Sequence, residues 1–92
     1  YKMLSLHTFF TAGPEEIRAW TIKLNDNAYD AAGKIHTDFQ KGFIKAEVYH
    51  YLDLLEYKSE LAVKEAGLIK QEGKEYIVKD GDIMLFKFNV TS

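Results

Sequence analysis

Lys34, His36, Lys41 and Lys45 fall within twelve residues and are the strongest local concentration of cationic and imidazole groups in the chain, interrupted by Asp38. Ammonium groups at this density suit phosphate oxygens, and every phosphate they neutralise makes binding weaken as salt rises. A solvated helix face accounts for the same residues, because three lysines are common on the helices of neutral domains. Arg18 is the one arginine. Bidentate recognition of base edges depends on guanidinium forks, so sequence-specific readout, DNA included, is not expected.

Other spacings point to chemistry and fall short of it. His36 and Asp38 are the residue types of a general base and its orienting carboxylate. A separation of two places them on different helix faces, so no direct bond between them is expected; His36 reads instead as a boundary residue donating to a loop carbonyl. His7, His36 and His50 are too scattered for a zinc site. Asp80-Gly81-Asp82 begins like a calcium loop but lacks the further oxygen ligands and the terminal Glu, so it reads as a turn with Gly81 at positive φ. Gly33-Lys34 and Gly73-Lys74 lack the upstream glycine and the following Ser or Thr of a phosphate-binding loop. Lys41 to Val48 approaches the RNA-recognition strand signature and departs from it where Lys45 replaces an aromatic. Phe43 and Tyr49 can stack on bases or fill the core, and core or rim packing suits them better in so small a domain. Trp20 reads as a core anchor with a bonded indole N–H. With no nucleophile beside a base and no cofactor fingerprint, no catalysis, cofactor or metal is expected of the chain alone.

Elements must position these groups, and composition sets their scale. The chain has 92 residues, 47% hydrophobic and 14% aromatic, which suits one domain over residues 1–92 with a single core. A domain this small buries only about 60–65% of its unfolded surface, so a few large side chains carry its stability. The net charge of -2 argues against a wholly basic nucleic-acid-binding surface. The absence of cysteine removes disulfides and thiolate chemistry. No apolar run approaches the roughly 18 residues of a membrane span, and no signal peptide is visible, so the expectation is a soluble cytosolic domain without membrane contact. The chain begins at Tyr1 without an initiator Met, as expected of a domain cut from something longer.

Leu4 to Thr11 and Glu16 to Lys23 alternate as strands around the turn Ala12-Gly13-Pro14-Glu15 and predict a hairpin. Asn27 and Asp30 form a capping box, and Ala28, Ala32, Ile35 and Phe39 make one stripe of a helix ending at Gly42. Phe43 to Tyr49 predicts a strand with Ile44, Ala46 and Val48 inward. Asp53 to Ala66 predicts either one helix, with Leu54, Tyr57 and Leu61 on its stripe, or two broken near Lys58 with Ser59 as a cap. Ile69–Gln71 and Tyr76–Val78 predict a short hairpin, and Ile83 to Phe86, apolar on both faces, a central strand. This order predicts an α+β, β-grasp (ubiquitin-like) mixed sheet with one main helix on one face and a second short helical segment.

Four runs carry a resemblance that covers nearly the whole chain. Phe9 to Ile22 (FFTAGPEEIRAWTI), Ala31 to Phe39 (AAGKIHTDF), Lys41 to Ile44 and Asp80-Gly81-Asp82 through Val90 resemble the C-terminal TGS domain of the YchF-type Obg-like ATPases. The Ile-His step and the Asp-Gly-Asp turn are similar to TGS domains generally; Thr-Ala-Gly, Arg-Ala-Trp-Thr and His-Thr-Asp-Phe look specific to the YchF branch. Leu24-Asn25-Asp26-Asn27 departs from the Gly-containing basic loop usual there, so a phosphate contact from that loop is not carried over. The resemblance implies a regulatory, RNA- or ribosome-facing module. Its implied setting is a cytosolic protein whose P-loop domain, binding ATP and Mg, hydrolyses ATP in preference to GTP. The partners it implies are ribosome or RNA and the protein's own ATPase domain, or, alternatively, the ATPase domain alone, with this module as a ubiquitin-like scaffold.

Overall fold

The computed structural model describes residues 6–12 and 16–89. Leu4 and Ser5 of the expected first strand, Gly13 to Glu15 of the expected turn and Val90 lie outside the described residues. Strand β1 (Leu6–Ala12) pairs antiparallel with β2 (Ile17–Lys23), with Phe9 opposite Trp20. Helix α1 (Ala28–Ile35) and the short α2 (Thr37–Lys41) lead to β3 (Phe43–His50). Helices α3 (Tyr51–Tyr57) and α4 (Glu60–Glu65), the short β4 (Lys70–Glu72) and β5 (Asp82–Phe88) complete the chain. The sheet order is β2-β1-β5-β3-β4, with β5 parallel to β1 and antiparallel to β3. This is the β-grasp arrangement, and the apolar last strand is central as expected.

Alternation along the strands sends apolar side chains to both faces of the sheet. On one face Phe9, Ile22, Ala46, Val48 and Met84 meet the buried Ala28, Ala31 and Ala32 of α1. On the other, Tyr49, Ile83 and Val63 of α4 are joined by the half-buried Phe10 and Leu54. The small alanines let α1 lie close to the sheet, and its capping box is present, with Asn27 Oδ1 accepting from Asp30 N–H at 2.9 Å.

The expected single helix over Asn27 to Gly42 is two. His36 adopts extended backbone, φ -166° and ψ 144°, and its Nδ1 accepts from Asp38 N–H at 3.0 Å, capping α2. The apolar stripe survives, since Ile35 and Phe39 still pack on the core. Gly42 ends α2 at φ -99°, outside the left-handed region. Glycine is needed there because a Cβ would collide with the Asn89 carbonyl oxygen.

The inward set of β3 is also corrected. A register shift between Phe43 and Lys45 puts Phe43, not Ile44, beside Ala46 and Val48, leaving Ile44 58% exposed. Beyond it, α3 and α4 are separate helices, broken at left-handed Lys58 and capped by Ser59, the second of the two expected forms. The corner takes α4 out of phase with α3, so Val63 is buried while Tyr57 and Leu61 are exposed. No hairpin joins Ile69–Gln71 to Tyr76–Val78. Instead β4 pairs with β3, while Ile77 makes a single bridge to Asn27 and the Ala28 N–H donates to the Tyr76 carbonyl at 2.8 Å.

Candidate functional site

Lys34 lies in the last turn of α1 and Lys41 in the last turn of α2, where each ammonium complements a helix C-terminus; both are exposed. The Gln40 side chain covers Gly33 and donates through Nε2 to the Tyr29 carbonyl at 3.1 Å, so Lys34 and Lys41 flank the seam where α2 folds back on α1. His36 stands between the helices with its ring 6.2 Å from that of Phe39. Its Nδ1 lies 3.7 Å from Asp38 Oδ2. At that distance, and with Nδ1 taken up by the Asp38 N–H, the carboxylate makes no hydrogen bond to the ring, in line with the expectation, although the two residues do not lie on opposite faces of one helix. The break at His36 turns the chain so that the ring reaches forward, accepting a backbone N–H rather than donating to a carbonyl.

Lys45 does not join this group. Ala46 and Val48 of β3 face α1, so Lys45 projects from the opposite side of the sheet, beside Lys87, its partner in the β3–β5 register. Adjacent like charges on one sheet face repel unless an anion or water separates them.

A groove of about 270 Å³ opens next to the helix seam, lined by Thr11, Ala12, Glu16, Arg18, Trp20, Ile35 and Phe39. The Arg18 guanidinium sits 4.9 Å from the centre of the Trp20 ring. The Trp20 indole N–H donates to Thr11 Oγ1 at 2.9 Å, and the ring stacks on Phe9 at 6.5 Å. Trp20 is thus bonded as expected, but only half-buried, and it forms a wall of the groove. Phe43 and Tyr49 are buried, in accord with packing rather than base stacking.

Asp80-Gly81-Asp82 is the expected turn, with Gly81 at φ 89°. Asp80 Oδ1 accepts from Thr8 N–H at 2.8 Å, and buried Asp82 accepts from Tyr76 and from Lys79 N–H. These carboxylates are committed to tying the loop to β1 and β5. Among the described residues no group of three His, Asp or Glu side chains gathers at a distance that would hold a metal ion.

The model of the YchF-GTPase_C family, described as a protein of unknown function (DUF933), matches residues 6–89. The chain belongs to that family. The ribosome-binding ATPase YchF of Escherichia coli O157:H7 is similar to this YchF-GTPase_C domain, 59% identical over 90 residues that cover 98% of this chain and 25% of that protein. Obg-like ATPase 1 of Gallus gallus is 62% identical over 89 residues, 97% of this chain and 22% of that protein. A solved structure of the Schizosaccharomyces pombe YchF GTPase superposes with a TM-score of 0.86 at 47% identity, covering 95% of this chain and 23% of that one. The chain therefore spans about a quarter of the length of the curated relatives it matches. Its resemblance to the C-terminal region of the YchF-type ATPases is borne out.

In this YchF-GTPase_C domain the groove adds Arg18, Trp20 and Phe39 to the helix seam, residues read from the sequence as surface or core. The available signal was the alternation that puts Arg18, Trp20 and Ile22 on one face of β2. An aromatic and an arginine on the core-facing side of an edge strand are left partly open where the helix layer ends. Lys74, with Nζ 5.3 Å from the centre of the Tyr29 ring, is a further cation beside α1.

Proposed function

We propose that this chain is the non-catalytic binding and regulatory module of a cytoplasmic YchF-type ATPase, and that it meets ribosomal RNA through the α1–α2 seam and the adjoining groove. The supporting observation is the placement of Arg18, Trp20 and Phe39 along one groove beside Lys34, His36 and Lys41. Cations that track phosphates next to aromatic or guanidinium planes that stack on unpaired bases are the usual means of single-stranded RNA recognition. The relatives named ribosome-binding ATPases agree in direction. In this reading ATP and Mg belong to the P-loop part of the longer protein, and this module contributes docking.

Titration of the chain against purified ribosomes and a non-cognate RNA across a salt series tests the proposal. Binding is expected to weaken with salt, and the double substitution Lys34→Ala, Lys41→Ala to reduce both affinity and salt slope. Lys45→Ala, on the other side of the sheet, is expected to change little; a loss equal to that of the double variant would move the interface to β3–β5. Saturable contact with the ATPase domain and no RNA signal would replace this reading with a ubiquitin-like scaffold that packs on its own ATPase domain.

A further inference from the structure

Across the sheet from α1 and α2, the segment Tyr51–Glu65 exposes apolar surface that the core does not use. Five of the eleven large hydrophobic side chains exposed among the described residues lie on it: Tyr51, Leu52, Leu55, Tyr57 and Leu61, with Leu55 and Leu61 65% and 64% exposed. Single exposed leucines are ordinary; a concentration within one short segment marks an interaction surface. Helix α3 buries none of its own residues, so the needs of the core leave its outer face unexplained.

The shape of that segment is nevertheless defined. His50 Nδ1 accepts from Leu52 N–H at 3.1 Å to start α3, and Ser59 Oγ accepts from Ala62 N–H at 3.1 Å to start α4. Between them Lys58 holds φ 72°, a conformation that costs a non-glycine residue energy. Tyr51 and Leu52 stand four and three residues before Leu55, one helical face.

The segment is net negative. Asp53, Glu56, Glu60 and Glu65 outnumber Lys58 and Lys64, a net charge of -2 that equals that of the whole chain. Lys45 and Lys87 share this side of the sheet but sit toward the start of β3, roughly 17 Å along the strand from its end at His50.

We infer that the α3–α4 face docks a basic amphipathic helix of a separate protein, with apolar anchors against Leu52, Leu55 and Leu61 and lysines or arginines against Glu56 and Glu65. Complementary charge selects this occupant. A second copy of the same face would set a net negative charge against its like, and an RNA backbone would bring phosphates to it. Because the face lies across the sheet from Lys34 and Lys41, the inference stands apart from RNA binding and is tested apart from it.

The test titrates the isotopically labelled chain with a helical peptide of about 18 leucines and lysines at three-and-four spacing, with a leucine–glutamate peptide as control. Amide shift changes are expected to centre on residues 50–65 with the lysine peptide alone. Affinity should fall about tenfold in Leu55→Ser, Leu61→Ser, whose exposed sites leave the denaturation midpoint unchanged, and should fall with added salt. No response to the lysine peptide, equal binding of the glutamate peptide, or shifts centred on α1–α2 would overturn the inference. Self-association that Leu55→Ser abolishes would assign the face to a second copy. Slowed amide exchange at residues 52–63 in a longer form of the protein, without peptide, would assign it to the rest of its own polypeptide; either result overturns the separate partner.

Discussion

The Tyr76 hydroxyl donates to the Asp82 carboxylate at 2.6 Å, joining the strand-less segment after β4 to the first residue of the central strand. Asp82 is 4% exposed, and its same oxygen accepts from Lys79 N–H at 2.9 Å. A buried carboxylate of this kind is stabilised by its donors, and removing one leaves a charge without a full set of partners. Tyr76→Phe is expected to destabilise the fold by about 1–3 kcal/mol. Urea denaturation checks it: a lowered midpoint at constant slope is the expected result.

Tyr49, 3% exposed, has its phenol pushed up to about 12, first by burial and then by the negative charge of Glu60. Burial and the Asp82 hydrogen bond raise Tyr76 still further above the ordinary tyrosine value. Unfolding returns both phenols to about 10. The contribution of Tyr49 to stability is therefore fully present below pH 10 and is lost as pH rises from there through about 12, and the loss for Tyr76 extends to higher pH still. Folding free energy measured at pH 9, 10, 11 and 12 should fall across that window by about 2–3 kcal/mol for Tyr49. Tyr49→Phe should flatten the slope, and an unchanged slope would count against a buried phenol.

Replacement of Gly81 meets two obstacles at once. Its φ of 89° disfavours any side chain, and a Cβ there would stand 2.6 Å from His50 Nε2, the atom that donates to the Asp80 carbonyl. Gly81→Val is expected to cost about 1–3 kcal/mol. Melting temperature provides the check, with a drop of about 4–8 °C per kcal/mol for a domain of this size.

The capping and binding roles of His36 separate by substitution. Asn keeps a side-chain acceptor for Asp38 N–H, whereas Ala removes it, so His36→Ala should lose about 1 kcal/mol while His36→Asn stays within about 0.5 kcal/mol of the original. If the ring also touches RNA, His36→Asn will weaken ribosome binding at unchanged stability. Equal stability of both variants would remove the capping role.

Legibility followed locality. The Asn27–Asp30 box, the Ser59 cap and the Asp-Gly-Asp turn were readable because each closes within a few residues and needs nothing from the rest of the chain. The break at His36 was not, because the apolar positions at Ala28, Ala32, Ile35 and Phe39 keep helical phase across it. The bulge that exposes Ile44 was hidden for a related reason: simple alternation fits Ile44, Ala46 and Val48 until pairing with β5 sets the register.

What the sequence determined by itself was a β-grasp sheet with a central last strand, and four runs whose resemblance pointed to the family. Which cations share a surface was decided only by the tertiary structure. Lys45 is four residues from Lys41 in the chain but projects from the other side of the sheet, because successive strand side chains point oppositely and Ala46 is the one packed under α1. Arg18, Trp20 and Phe39, from β2 and α2, line one groove because the helix layer ends beside the edge strand. Spacing along the chain orders neighbours within one element; sheet register and helix packing decide which residues from different elements face the same solvent.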